Sequence, residues 1–312
     1  MFHISTYPKV SIIISTYNGE EYIGDTIESV RDQTWQNWEL VIVDDGSEDN
    51  TCEIIAGIKD ERIKLYKAGR IGINGKIKNI ALSKASGELI AFIDHDDLWA
   101  ATKLEKQVAL LQQYPEAGLS LTGGYNFRKK GIPLEYYYEK REGISIDNIF
   151  LPIFRSEIGV WTQALLVRKQ CIEKVGPFSE TSLFADPEFI SRLAYHFNTV
   201  ILYEPLMYRR LHDTNYTSLN WVTGHNEGID VIQSYKNKKM LPSGIARKVM
   251  FRSYIHFGEK CLKYNKRRKS IHSFFNAWKQ KPFSIVPFKK TVKVILYSLK
   301  KQAHHFFSNI FH

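Results

Sequence analysis

The chain has 312 residues, 44% hydrophobic and 24% charged, a composition that suits one large α/β domain with an appendage and excludes a disordered chain. Three widely spaced cysteines, Cys52, Cys171 and Cys261, exclude a disulfide scaffold and a Cys-rich zinc site, and fit reduced thiols. The net charge of +10 is unevenly placed: from Lys236 onward stand 19 Lys/Arg and one acidic residue, Glu259, so a body of net −8 carries a tail of net +18. Such asymmetry points to a polyanionic partner, either nucleic acid or an anionic membrane face. The first residues lack the basic and apolar regions of a signal peptide. No apolar run approaches the roughly 20 residues that span a bilayer. A cytoplasmic protein is expected.

In chain order, Val10–Ile14 is a β-branched run that reads as a buried strand. Ile23, Ile27 and Val30 then recur at helical spacing. Strand Glu39–Val43, a helix over Asn50–Ile58 and strand Ile63–Tyr66 follow. A helix bearing Ile77, Ala81 and Ala85 ends at Gly87, strand Glu88–Ile93 comes next, and a helix bearing Leu104, Val108 and Leu111 stops before Pro115. Strand–helix alternation predicts a mainly parallel, Rossmann-like sheet flanked by helices. Residues 125–220 read as less regular, with a strand at Trp161–Val167, a turn at Gly176-Pro177 and a helix over Pro187–Phe197. Beyond 225 the pattern is helical and basic, interrupted at Pro282 and Pro287. We divide the chain into 1–222, with halves 1–124 and 125–222, and a helical extension over 223–312.

In parallel α/β sheets the ligand crevice lies beyond the C-terminal strand ends. Three successive strand ends carry polar clusters: Ser15-Thr16-Tyr17-Asn18, Asp44-Asp45-Gly46-Ser47 and Asp94-His95-Asp96-Asp97. Three carboxylates in the last cluster repel one another unless a cation or hydrogen-bond donors neutralise them. Residues i and i+2 of an extended strand leave on the same side, so Asp94 and Asp96 can converge on a hard divalent cation. Otherwise the run is a solvated turn, with Asp97 capping the next helix. Asp44 and Asp45 read either as turn chemistry or as acceptors for a uracil imide N–H. Asp186 reads as a helix cap before Pro187 or as a general base. His212 is a packed residue, a metal ligand or a diphosphate contact.

Five segments occur together in one order: VSIIISTYNGEEYI, QTWQNWELVIVDDGSEDNT, IKNIALSKASGELIAFIDHDDLW with KLEKQ after it, ADPEFISRL, and YRRLHDTNYTS. In that order they resemble the inverting GT-A glycosyltransferases of family 2, over Val10–Ser218. The resemblance implies a GT-A fold and a donor pocket lined by Thr16, Tyr17, Asn18 and Glu20. Asp44 would hold the base beside Asp45, and Lys78 would face the diphosphate. Asp94 and His95 would lie by the sugar nucleotide, with Asp94 on the ribose or the metal. Asp96 would ligate Mn²⁺ or Mg²⁺, completed by His212. Asp186 would be the catalytic base, supported by Arg192. Ala185 stands where the family commonly has Glu. No Q-x-x-R-W motif occurs, which argues against a processive membrane-embedded synthase.

The expected activity is inverting transfer of a sugar from a nucleoside-diphosphate sugar, UDP-linked, to a hydroxyl of a lipid-linked or saccharide acceptor in surface-polysaccharide synthesis. The alternative is a metal-dependent nucleotidyltransferase acting on sugar phosphates, although the first loop lacks the basic residues that a triphosphate needs. No nucleic-acid module occurs, and the acidic body repels phosphates, so nucleic acid is not an expected partner. From Val292, apolar residues Ile295, Leu296, Leu299, Ala303, Phe307 and Ile310 recur at helical spacing among lysines. That stripe either docks on the protein's own core or lies on an anionic leaflet. The second alternative makes the protein peripheral on the inner face of the membrane.

Overall fold

The computed structural model describes residues 2, 4–137, 141–213 and 215–294. Contacts group the chain into two compact units, Met1–Gly224 and His225–His312.

In the first unit the elements run β1 (Val10–Thr16), α1 (Ile23–Arg31), β2 (Trp38–Asp44), α2 (Thr51–Gly57), β3 (Ile63–Lys67), α3 (Asn74–Lys84), β4 (Leu89–Phe92) and β5 (Leu98–Trp99). Then come α4 (Lys103–Gln113), β6 (Ala117–Phe127), β7 (Pro133–Tyr137), β8 (Ile144–Asp147), α5 (Phe150–Arg155), a 3-10 turn (Thr162–Ala164) and β9 (Leu165–Arg168). The unit closes with α6 (Lys169–Val175), α7 (Ala185–His196), β10 (Asn198–Arg210) and α8 (Tyr216–Leu219).

One sheet carries the order β3-β2-β1-β4-β9-β6-β10-β5, with β7 on β6 and β8 on β10. Strands β1 to β4 are mutually parallel, with Val10 opposite both Trp38 and Leu89. Every residue of β2 and β4 is buried, and Val10, Ile12, Ile13 and Ile14 are sealed as well, because helices cover both faces of this half. Helix α1 buries Ile23, Ile27 and Val30, and α3 buries Ile77 and Ala81.

Beyond β4 the sheet is mixed. Strand β9 enters antiparallel between β4 and β6, while β6 and β10 run parallel to each other. Strand β10, of 13 residues, lies in the stretch that reads as less regular in sequence, and β6, of 11 residues, runs into its start. The apolar pattern of β6 is broken by Ser120, Thr122, Gly123 and Gly124, yet all four are buried. Gly124 is needed because a Cβ there would stand 2.1 Å from the Met207 carbonyl oxygen on β10. The strand expected over Trp161–Val167 begins only at Leu165, since Thr162 and Gln163 turn inward as a 3-10 segment.

In the second unit, α9 (Trp221–Asn237) leads into α10 (Ser243–Lys263) and α11 (Arg267–Gln280), which pack as a helical pair. Phe274 of α11 is fully buried over Gly258, where a Cβ would meet its ring at 2.4 Å. The hydroxyls of Ser270 and Ser273 donate to the Gly258 and Tyr254 carbonyls at 2.8 and 2.6 Å. Helix α11 stops before Pro282. Pro287 does not interrupt helix as expected, because it falls in the first turn of the helical stretch 285–294, where its missing N–H has no intrahelical partner to lose. Most of the apolar stripe predicted from Val292 onward, from Ile295, lies outside the described residues.

The approach of α3 to the loop before α7 depends on Gly75. A Cβ there would sit 2.0 Å from the Ser179 carbonyl oxygen and 3.3 Å from the Ala185 methyl. Backbone must move to accept it, so Gly75→Ala is expected to cost about 1–3 kcal/mol of stability. Urea denaturation checks this, and an unchanged midpoint would contradict the close approach.

Candidate active site

The C-terminal ends of β1, β2 and β4 lie side by side, and their loops are tied to one another. Asn18 takes a left-handed φ of 47°. Its N–H donates to Ser47 Oγ and its Oδ1 accepts the Glu48 N–H, both at 2.9 Å. Glu20 accepts from the Asn50 amide and side chain at 3.0 and 2.7 Å. Asn18 and Glu20 therefore brace the second loop, besides standing where a pocket wall was expected.

Asp44 is buried, and its carboxylate caps its own turn: Oδ2 accepts the Gly46 and Ser47 N–H groups at 3.0 Å, and Oδ1 takes the Ser47 hydroxyl. Turn chemistry thus occupies most of its acceptor capacity. Asp45 holds the segment before α3, accepting from the Ile71 amide at 2.6 Å and the Gly72 amide at 3.0 Å and pairing with Arg70. Arg70 in turn lies over the Tyr17 ring, 3.7 Å from its centroid. Sequence reading missed Arg70; the signal available was its place between Gly69 and Gly72, both at positive φ. Thr16 Oγ1 is buried and has no hydrogen-bond partner among the described residues. Beside it, the His95 ring packs on Gly19, where a Cβ would meet that ring at 2.8 Å.

Ligand atoms of Asp94, Asp96 and Asp97 lie within 4.8 Å of one another. Each has a distinct set of partners. Asp97 is buried and accepts the Arg210 N–H at 2.9 Å. It does not cap α4, which starts after Thr102. Burial first, then Asp96 and Asp94, hold the Asp97 carboxyl well above its usual range. Asp96 bonds His212 Nε2 at 2.8 Å and Asn215 Nδ2 at 3.3 Å. Burial works against its charge, but the His212 bond and the neighbouring histidines more than offset this, leaving Asp96 below the ordinary range. Arg210 closes the loop from behind: Nε donates to the Asp96 carbonyl at 2.9 Å and a terminal nitrogen pairs with Asp25 at 2.9 Å.

Asp186 lies inside the first turn of α7, whose cap position is Phe184. Its carboxylate does not bond the helix end in the way a cap would. Lys78 Nζ donates to both its oxygens at 2.8 and 2.7 Å, and Thr162 Oγ1 donates to Oδ2 at 2.9 Å. Lys78 is 2% exposed and also stands 3.9 Å from Asp94. Burial opposes its charge, yet Asp186 and then Asp94 overcome this and hold the ammonium above the usual lysine range. Lys78 is thus committed to the expected base, where the resemblance had it facing a diphosphate. Gln163, next to Thr162, donates to Asp94 Oδ2. Arg192 lies further off, gripping Glu188 at 3.0 Å and the Gly176 and Pro177 carbonyls at 3.1 and 2.7 Å.

The donor set fits a hard divalent cation. The Asp94, Asp96 and Asp97 carboxylates offer oxygen ligands of the type that Mg²⁺ and Mn²⁺ accept, and His212 bonds Asp96 beside them. Excess negative charge at this edge is only partly offset by Lys78 and Arg210.

The glycosyl transferase family 2 profile matches residues 11–154. A glycosyltransferase of Rickettsia typhi (strain ATCC VR-144 / Wilmington), RT0329, is 30% identical over 227 residues, 69% of each chain. The chain belongs to glycosyl transferase family 2. An Escherichia coli relative, UDP-Glc:alpha-D-GlcNAc-diphosphoundecaprenol beta-1,3-glucosyltransferase WfgD, is 46% identical over 106 residues, covering 33% of this chain and 40% of WfgD. The chain spans about half the length of such curated relatives, 56% in the case of TuaG from Bacillus subtilis (strain 168). Staphylococcus aureus TarS 1-349 in complex with UDP-GlcNAc superposes with a TM-score of 0.65 at 18% identity, covering 87% of this chain and 81% of TarS. This likeness shows the GT-A fold. The segment matching family 2 holds Thr16, Asp44, Lys78 and the Asp94–Asp97 cluster but stops short of Asp186 and His212.

The Lys78–Asp186 pair links α3 to α7 across 108 residues. Lys78→Met would leave Asp186 with Thr162 alone, and is expected to lower stability by about 2 kcal/mol. Lys78→Met/Asp186→Asn should recover part of that loss. Denaturant titration of the four proteins checks it; additive losses would show that the two side chains do not interact.

Proposed function

We propose that this family 2 protein is an inverting, metal-dependent glycosyltransferase. It moves a sugar from a nucleoside-diphosphate sugar, UDP-linked, to a hydroxyl of a lipid-linked or saccharide acceptor in surface-polysaccharide synthesis. The observation that carries the reading is the meeting of Asp186, Asp94 and Asp96, from two distant segments, at one sheet edge beside His212 and the Tyr17–Arg70 stack. The printed names of WfgD and of the TarS complex, both with uridine-nucleotide sugars, support a UDP-linked donor. That of WfgD, whose acceptor is a sugar on diphosphoundecaprenol, supports a lipid-linked acceptor.

In this reading Tyr17, Arg70 and the Asp44–Asp45 turn receive the nucleoside, and the buried Thr16 hydroxyl, otherwise lacking a partner, finds one on the donor. Asp94 and Asp96, with His212, would hold a divalent cation, which when bound would supply positive charge to offset that of the diphosphate. The acceptor hydroxyl oxygen forms a bond to the anomeric carbon while the bond from that carbon to the diphosphate oxygen breaks on the opposite face. The acceptor proton passes to Asp186. Lys78 and Thr162 fix the orientation of that carboxylate, and a lone pair is left for the proton. The charge of the diphosphate leaves with the nucleotide, so no covalent enzyme intermediate forms.

Asp186→Asn keeps the size and the Thr162 bond but removes the base. Removal of a general base is typically worth ~10²–10⁴ in rate. The expectation is a kcat reduced on that scale, with UDP binding by calorimetry near wild type. A variant with full turnover would rule Asp186 out as the base.

A further inference from the structure

Residues 267–294 contain eight Lys/Arg and no acidic residue. The turn and helical stretch that end this segment also expose apolar side chains to water. Phe283 is fully exposed, Phe288 is 65% exposed and Ile285 60%. At 100° per residue, Ile285, Phe288 and Val292 share one side of the helix over 285–294, and Lys289 and Lys293 flank them. Pro287 and Val294, on the opposite side, are buried. The helix therefore packs by its far side and presents a mixed apolar and cationic face outward. Exposed apolar clusters of this kind mark interaction surfaces.

We propose that the outward face of residues 283–293 docks on the surface of an anionic lipid bilayer. Charge complementarity and shape select this partner over others. A second copy of the chain meeting the same face would oppose lysine to lysine across a two-fold axis. A nucleic acid would satisfy the lysines, but Ile285 and Val292 would gain nothing from a phosphate backbone. An anionic leaflet serves both sets: the lysines meet headgroup phosphates, and the Phe, Ile and Val side chains enter the headgroup–acyl boundary. Lys290 is held separately, paired with Glu259. The proposal goes beyond the transfer reaction and does not depend on it, since binding needs neither donor nor metal.

The test is co-sedimentation of the full chain with phosphatidylglycerol-containing and pure phosphatidylcholine vesicles. Wild type is compared with Phe283→Ser/Phe288→Ser and Lys289→Glu/Lys293→Glu, all exposed positions whose replacement leaves the packed side untouched. The wild type should pellet with the anionic vesicles at low salt, and each double variant should lose at least about tenfold in partitioning. Added salt should release the wild type. The proposal is overturned if the wild type stays in the supernatant or if both variants pellet as it does. Loss of RNA binding or self-association in the variants, with vesicle binding intact, would overturn it equally.

Discussion

Four carboxylates, those of Asp94, Asp96, Asp97 and Asp186, are gathered at one edge of the sheet, and their mutual repulsion governs what surrounds them. Lys78, almost without solvent, sits between Asp186 and Asp94. Arg210 bonds the backbone of the Asp96 loop and the Asp97 side chain, and His212 with Asn215 bonds Asp96 itself. The compensation is incomplete, since Asp94 and Asp97 are still pushed above the ordinary carboxylate range by burial and by their neighbours. A site in that state favours additional positive charge, which is the physical ground for the cation site proposed above.

The same constraint explains the order of the segments. The carboxylate-rich loop follows β4, where the parallel half meets antiparallel β9, but its counter-charges come from elsewhere. Lys78 arrives on α3, and Arg210, His212 and Asn215 arrive from the far end of β10. Strand β5, which directly follows the carboxylate-rich loop, pairs antiparallel with β10 through Leu98 and Trp99 and so brings the two together. The 3-10 segment before β9 then delivers Thr162 to Asp186 and Gln163 to Asp94.

The parallel half was legible from the sequence because β-branched runs such as Val10–Ile14 and the 3.6-residue spacing of Ile23, Ile27 and Val30 report burial directly. Its three polar strand ends were legible for the same reason. Asp186 and His212 were singled out by motif order, but the bonds they make to other side chains were not. The Lys78–Asp186 pair joins residues more than a hundred positions apart, and no local pattern encodes it. Arg70 was hidden in an irregular glycine-rich loop. Thr162 and Gln163 were hidden by a β-branched and apolar neighbourhood that mimics a strand, and β6 by its own glycines. For Asp44, the turn chemistry legible in its own run is visible as three hydrogen bonds from Gly46 and Ser47 to the carboxylate.

The most direct measurement is nucleotide release from UDP-sugars by the full chain, with Mn²⁺ or Mg²⁺, in EDTA, and after metal is restored, alongside Asp96→Ala. The account predicts release of UDP that needs the metal, returns with it, and is lost in Asp96→Ala while the fold is kept. Equal turnover in EDTA, undiminished activity of Asp96→Ala, or pyrophosphate as the product would contradict it.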